Sequence, residues 1–80
     1  MEENTILIND IAQWIKNERI NQGLSQKDLA LKSNVSKSII VKLENGGLPN
    51  ITNSISLFNG LGYDMSLRNG KIYATRKDIR

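Results

Sequence analysis

The 80-residue chain has no cysteine and no histidine. Without cysteine there is no disulfide staple and no thiolate chemistry. Without either residue, the usual zinc ligands and the commonest general base are missing. No apolar run approaches the ~18 residues that a membrane span needs. The opening stretch Met1-Glu2-Glu3-Asn4-Thr5 is acidic and lacks a basic-then-apolar signal pattern. These absences predict a cytoplasmic protein that uses no metal, no cofactor and no membrane. No cluster of acids, no activated nucleophile and no phosphate-cradling loop suggests an enzyme. Gly46-Gly47 reads as a helix stop rather than a nucleotide cradle.

What remains is an ordinary globular balance, with 39% apolar and 24% charged residues. Eighty residues make one small domain with a thin core, which favours help from a partner chain. The formal net charge is +3, and its placement matters more than its size. Residues 1–24 set Lys16 and Arg19 against Glu2, Glu3, Asp10 and Glu18. Residues 25–46 set Lys27, Lys32, Lys37 and Lys42 against Asp28 and Glu44. Residues 47–80 set Arg68, Lys71, Arg76, Lys77 and Arg80 against Asp64 and Asp78. The surplus therefore lies in the middle and at the end. A merely solvated face would carry such a surplus too; its coincidence with the motif described next points to nucleic acid.

The hydrophobic period predicts four helices. The first runs from Asn9 or Asp10 to Gln22, with Ile8, Ile11, Ala12 and Ile15 at helical spacing, Trp14 at the core edge and Gly23 as the stop. The second spans Gln26 to Ser33 and the third Lys37 to Asn45, each preceded by a serine, Ser25 or Ser36, that can cap the first turn. The fourth runs from Ile51 or Thr52 to Leu61, with Ile51, Ile55, Phe58 and Leu61 as its expected stripe. Residues 63–75 then alternate about Asn69-Gly70, the strongest short hairpin signal. A two-residue turn pairs Leu67 with Ile72, Met65 with Ala74 and Ser66 with Tyr73. Residues 1–8 are expected to be a frayed arm and 76–80 a mobile tail. The fold class is mainly α: a compact four-helix domain over 9–62 followed by a C-terminal β-hairpin.

Two short helices split at Ser33-Asn34-Val35 form a helix-turn-helix, whose second member can enter the DNA major groove. Ile40 and Leu43 turn the third helix inward. At ~100° per residue, Ser38, Asn45 and Lys42 then face outward, with Val41 and Lys37 beside them and Ile39 on the flank as a packing residue. Lysine suits guanine acceptors or phosphate, serine bonds several base edges, and Val41 suits a thymine methyl. Lys37 fits either base or phosphate. At the start of the second helix, Gln26 and Lys27, with the backbone N–H groups, suit a phosphate oxygen.

Residues 11–62 resemble the Cro/repressor-type (XRE) helix-turn-helix family. The resemblance rests on Ile15-Lys16-Asn17-Glu18-Arg19, Gly23-Leu24-Ser25-Gln26, Leu29-Ala30, Val35-Ser36-Lys37-Ser38, Ile40, Leu43-Glu44-Asn45-Gly46, Pro49 and Leu57 through Gly62. It implies a lambda-repressor-like domain that binds an inverted-repeat operator in double-stranded DNA as a homodimer and represses transcription, in a bacterial or phage, nucleoid-associated setting. By the same resemblance, Lys37, Ser38 and Lys42 occupy base-reading positions, and Val41 is expected to join them from its place on the helix. The resemblance also places Gln26 on a phosphate and makes Asn45 and the amides after it, Gly46 first, a second phosphate clamp; Lys27 and Ser36 are expected to contact phosphates as well. Arg19 and Glu44 form a buried ion pair. Asn34 stands where the family has glycine, and Ser33 where it has a small apolar residue. The family's fifth helix is replaced by the hairpin, and Leu61-Gly62-Tyr63-Asp64-Met65-Ser66-Leu67 resembles antitoxins of the HipB type. That second resemblance implies self-repression and a HipA-like, kinase-like toxin as partner. A phage-type repressor, or an interaction module that kept the fold without DNA binding, are the alternatives. Because a lone hairpin is marginal and leaves an edge open, Tyr63, Met65, Leu67, Ile72 and Tyr73 are expected at a dimer junction; the competing arrangement packs the hairpin back on the fourth helix of its own chain, with dimerisation elsewhere or only on DNA.

Overall fold

Each helix of the computed structural model, which describes residues 4–77, begins at a side chain that closes its first turn. Helix α1 (Ile11–Asn21) is capped by Asp10, whose carboxylate accepts from the Gln13 N–H at 3.1 Å. Helix α2 (Gln26–Ser33) opens on a reciprocal box: Ser25 Oγ accepts from the Asp28 N–H and the Asp28 carboxylate accepts from the Ser25 N–H, both at 2.9 Å. Those bonds, the backbone one foremost, hold the Asp28 carboxyl below its usual range. Helix α3 (Lys37–Glu44) is capped by Ser36, and helix α4 (Ile51–Gly60) by Asn50, which accepts from the Asn53 N–H at 2.9 Å. Between α2 and α3, Asn34 sits in the left-handed region at φ 60 and ψ 33, a conformation asparagine tolerates better than most residues. Ser33 is buried without penalty because its hydroxyl donates to Leu29 O at 2.7 Å and accepts from the Val35 N–H at 3.3 Å.

After α4 come the strands called here β2 (Tyr63–Arg68) and β3 (Lys71–Arg76). Asn69 and Gly70 turn between them at φ 52 and 75, as a two-residue hairpin of the primed type requires. Leu67 faces Ile72, Met65 faces Ala74 and Ser66 faces Tyr73, the register expected from the alternation. Arg76 belongs to β3, so the hairpin runs one residue past 75, and the Lys77 N–H still donates to Gly62 O; residues 78–80 of the expected tail lie outside the described residues.

The N-terminal arm is not as expected. Thr5–Ile8 forms a strand, β1, antiparallel to β3, and the sheet order is β1-β3-β2. Residues 1–3 lie outside the described residues. The reason is in the residues: Thr-Ile-Leu-Ile is β-branched and apolar, and β3 otherwise offers an open ladder of N–H and C=O groups. Thr5 and Thr75 share a hydroxyl hydrogen bond of 3.0 Å, and Ile8 is buried.

The core joins Ile15, Leu29, Ile40, Leu43, Leu57 and Phe58 to Tyr63 and Ala74 of the sheet. Trp14 is half-buried at its edge, with its ring 4.7 Å from Phe58 and 4.9 Å, edge-on, from Tyr63. The α4 stripe differs from expectation. Ser54, Leu57, Phe58 and Leu61 face inward, while Ile51 and Ile55 remain exposed. Phe58 and Leu61 belong to both possible stripes, and Leu57 at their side turns the helix away from Ile51 and Ile55. Where α2 meets α4, a Cβ on Gly60 would lie 2.8 Å from the Ser33 Cβ, so this contact needs glycine.

Candidate nucleic-acid interface

α3 is anchored from below and bare above. Ile40 and Leu43 are buried, while Lys37, Ser38 and Lys42 are exposed. None of these lysines, nor Lys27, forms an ion pair among the described residues. The Ser38 hydroxyl lies 3.2 Å from that of Ser36, which also accepts the Ile39 N–H at 3.4 Å. Together the exposed groups offer two flexible ammonium donors and a hydroxyl at successive turns of one helix. Such a surface can bond base edges and phosphate oxygens.

Two flanking residues differ from the sequence reading. Val41 is half-buried, so part of the surface expected to meet a thymine methyl is already covered. Ile39, expected to pack, is 38% exposed. Both shifts share one cause. The Glu44 side of α3 is drawn inward, which rolls Val41 down and Ile39 up.

What draws Glu44 in is Arg19. The guanidinium donates from Nε to Glu44 Oε2 at 2.8 Å and from NH2 to Oε1 at 2.9 Å, while NH1 donates to Leu24 O at 2.7 Å. The two side chains are 12% and 3% exposed. This fork ties the end of α1 and the loop before α2 to the end of α3. Gln26 completes it by donating to Glu44 Oε1 at 3.1 Å. Burial pushes the Glu44 carboxyl upward, but the bonds from Arg19 and Gln26, with the charges of Arg19 and Lys16, outweigh it and hold the group below its ordinary range.

The Gln26 side chain is therefore engaged through one Nε2–H, and its second Nε2–H and the Gln26 and Lys27 backbone amides in the first turn of α2 are what remain to donate to a phosphate. At the other clamp the reading changes more. The Gly46 N–H donates to Leu43 O at 3.2 Å and the Gly47 N–H to Lys42 O at 2.8 Å. The helix end already engages these amides, so at this clamp the exposed Asn45 side chain is the group left without such a bond to the helix end. The nearby donors that the sequence reading overlooked are the first-turn amides of α4, behind the Asn50 cap. The Asn50-x-x-Asn53 cap after Pro49 was the available signal.

The residues expected at a dimer junction divide. Tyr63 is 1% exposed in the chain's own core, its hydroxyl donating to Glu18 Oε2 at 3.2 Å. That burial, then the Glu18 charge, pushes the phenol above its usual range. Met65, Ile72 and Tyr73 are half-buried, with Met65 and Ile72 packed on the core. Leu67 alone is open, at 69%. The hairpin packs on its own chain's fourth helix, as in the competing arrangement, because β2 runs back along α4.

A helix-turn-helix family model, HTH_3, matches residues 15–67. The chain belongs to this family. The match runs from α1 through all of the motif to Leu67 in β2, about two thirds of the chain, and so takes in Arg19, Gln26, α3 and Glu44 alike. Comparison with curated proteins and with solved structures gave no match. HTH_3 domains are DNA-binding regulators of transcription, and this chain carries one. Among the described residues, no helix is long and apolar enough to cross a membrane.

Proposed function

We propose that the protein is a sequence-specific repressor that binds an inverted-repeat operator as a homodimer. The bare, cationic face of α3 carries this reading, since Lys37, Ser38 and Lys42 are exposed on a helix whose opposite side is buried. Binding to random duplex DNA is its first test. Each phosphate neutralised steepens the plot of log affinity against log salt by about 0.9. A flat plot would favour an interaction module that kept the fold and lost DNA.

For the dimer, the open edge of β2 is the support. The Lys77 N–H donates to Gly62 O at 2.9 Å, and from there the alternation turns the Met65 and Leu67 N–H groups away from β3. Two such edges pairing antiparallel would join the sheets across a two-fold axis, cover Leu67, and set the two α3 helices about 34–36 Å apart. Because Tyr63 is core, removing the hairpin would unfold the domain; Leu67→Pro is the cleaner test. It deletes an outward N–H and an exposed side chain. Sedimentation should show a folded monomer with much weaker operator binding. A Leu67→Pro variant that stays dimeric would place the interface elsewhere.

A strand pair after α4, where the family has a fifth helix, supports an autoregulating antitoxin with a kinase-like toxin as partner. An adjacent reading frame coding for such a kinase, whose product copurifies with this chain and raises its operator affinity, is the expected finding. An adjacent integrase or lysis cassette would favour a phage-type repressor.

A further inference from the structure

Between α3 and the start of α4 lies an open cavity of about 210 Å³, walled by Ile39, Lys42, Leu43, Leu48, Asn53 and Ser54 among others. Its lining is mostly apolar, and it is large enough for a small organic molecule rather than a single water. At its mouth Leu48 is 94% and Ile39 38% exposed. One wall is out of character. Ser54 is 1% exposed, and its hydroxyl has no hydrogen-bond partner among the described residues. A serine inside a helix ordinarily bonds the carbonyl four residues back; this one does not. A buried hydroxyl left unpaired is destabilising, and alanine would fit the same place without that penalty. The group is explained if something enters the cavity and accepts its proton.

Lys42 supplies the second half of the chemistry. It borders the cavity from α3, is exposed, and has no ion pair among the described residues. Its four-carbon stem lets the ammonium turn either outward or over the cavity mouth. A deep hydroxyl donor, a mobile cation and apolar walls around a small volume define a narrow class of ligand.

We propose that this cavity binds a small monocarboxylic acid with a branched or aromatic apolar body. One carboxylate oxygen accepts from Ser54 Oγ, the Lys42 ammonium pairs with the charge, and the body lies against Ile39, Leu43 and Leu48. Resting on the DNA reading above, the site also regulates. An ammonium drawn over the cavity is withdrawn from DNA, so the acid weakens operator binding.

The test uses the full chain, labelled with ¹⁵N and titrated with 3-methylbutanoate and with benzoate against matched sodium chloride. At least one acid should give saturable amide shifts centred on Ile39, Leu43, Asn53 and Ser54. Its uncharged carboxamide should bind about tenfold more weakly. Ser54→Ala, which keeps the shape and removes the hydroxyl, should lose the saturable shifts while melting no lower than wild type; Lys42→Gln should bind several-fold more weakly. No saturation with either acid, or shifts that survive Ser54→Ala, would overturn the site. So would the same shifts arising from protein concentration alone, since a second copy's Leu48 would then be the occupant. Fluorescence anisotropy of labelled random duplex covers the regulatory half: the acid should weaken wild-type binding and leave Ser54→Ala unaffected. Acid binding without that change would overturn the coupling. A protein that binds no DNA even without acid would instead fail the repressor reading, with the cavity still judged by its shifts.

Discussion

Glu44→Ala should destabilise the fold by about 3–5 kcal/mol, the usual result of stranding one member of a buried ion pair. The variant would leave the Arg19 guanidinium with only Leu24 O, and Gln26 without its acceptor. A domain of this size has stability of the same order, so the variant should be largely unfolded at 37 °C by far-ultraviolet circular dichroism. Replacing both partners, Arg19→Met with Glu44→Leu, should recover much of the loss, because no charge is then stranded. Wild-type melting of Glu44→Ala would mean that the pair does not hold the helices. The same fork sets an acid limit. The Glu44 carboxyl titrates lower folded than unfolded, where about 4.3 is ordinary. Its contribution is therefore complete above that unfolded value and is lost as pH falls through the lower, folded one. Asp28, lowered by its bonds to Ser25, acts in the same direction. Melting temperature should thus fall on acidification below about pH 4, and that fall should be smaller in the Arg19→Met, Glu44→Leu double variant.

Readout should separate from simple attachment on a duplex enriched from random sequence by the protein itself. If Ser38 and Lys42 touch bases, Ser38→Ala and Lys42→Ala should each weaken that duplex by about 1–3 kcal/mol. Scrambled DNA should lose less. Gln26→Ala should weaken both duplexes about equally, since phosphates carry no sequence. It also removes one of the two hydrogen bonds to Glu44 Oε1, so its melting curve must be read beside its affinity. Equal losses on both duplexes for Lys42→Ala would remove that lysine from base readout and leave it as a phosphate contact.

Most of the helical architecture was legible, because it is encoded locally. Ser25, Ser36 and Asp10 cap where such residues cap, Asn34 turns where asparagine can, and Asn69-Gly70 fixes a hairpin register by its own geometry. What escaped depends on partners distant in the chain. β1 reads as a frayed arm until β3 stands beside it. The α4 stripe cannot be chosen by period alone when Phe58 and Leu61 serve both candidates. At the interface, the types and order of the residues on α3 were readable, but its roll was not. A buried fork between residues 25 positions apart sets that roll and moves Val41 and Ile39 in opposite senses. The engagement of the Gly46 amide was equally invisible, since it depends on how the last turn of α3 closes.

The pairing of β1 with β3 has a consequence for how this chain folds and opens. Thr5 and Thr75 meet across 70 positions of sequence, so that contact closes nearly the whole chain into one loop. The contacts between one helix and another span less, and local contacts form first because they lose less chain entropy. The strand nearest the N-terminus is therefore the last to find its place. It is four residues long and sits at one edge of the sheet, beside β3. In hydrogen exchange its amides should open at a lower free energy than those of α1 or α4, with the DNA-facing helices still intact. The clasp can undo without the reading head coming apart.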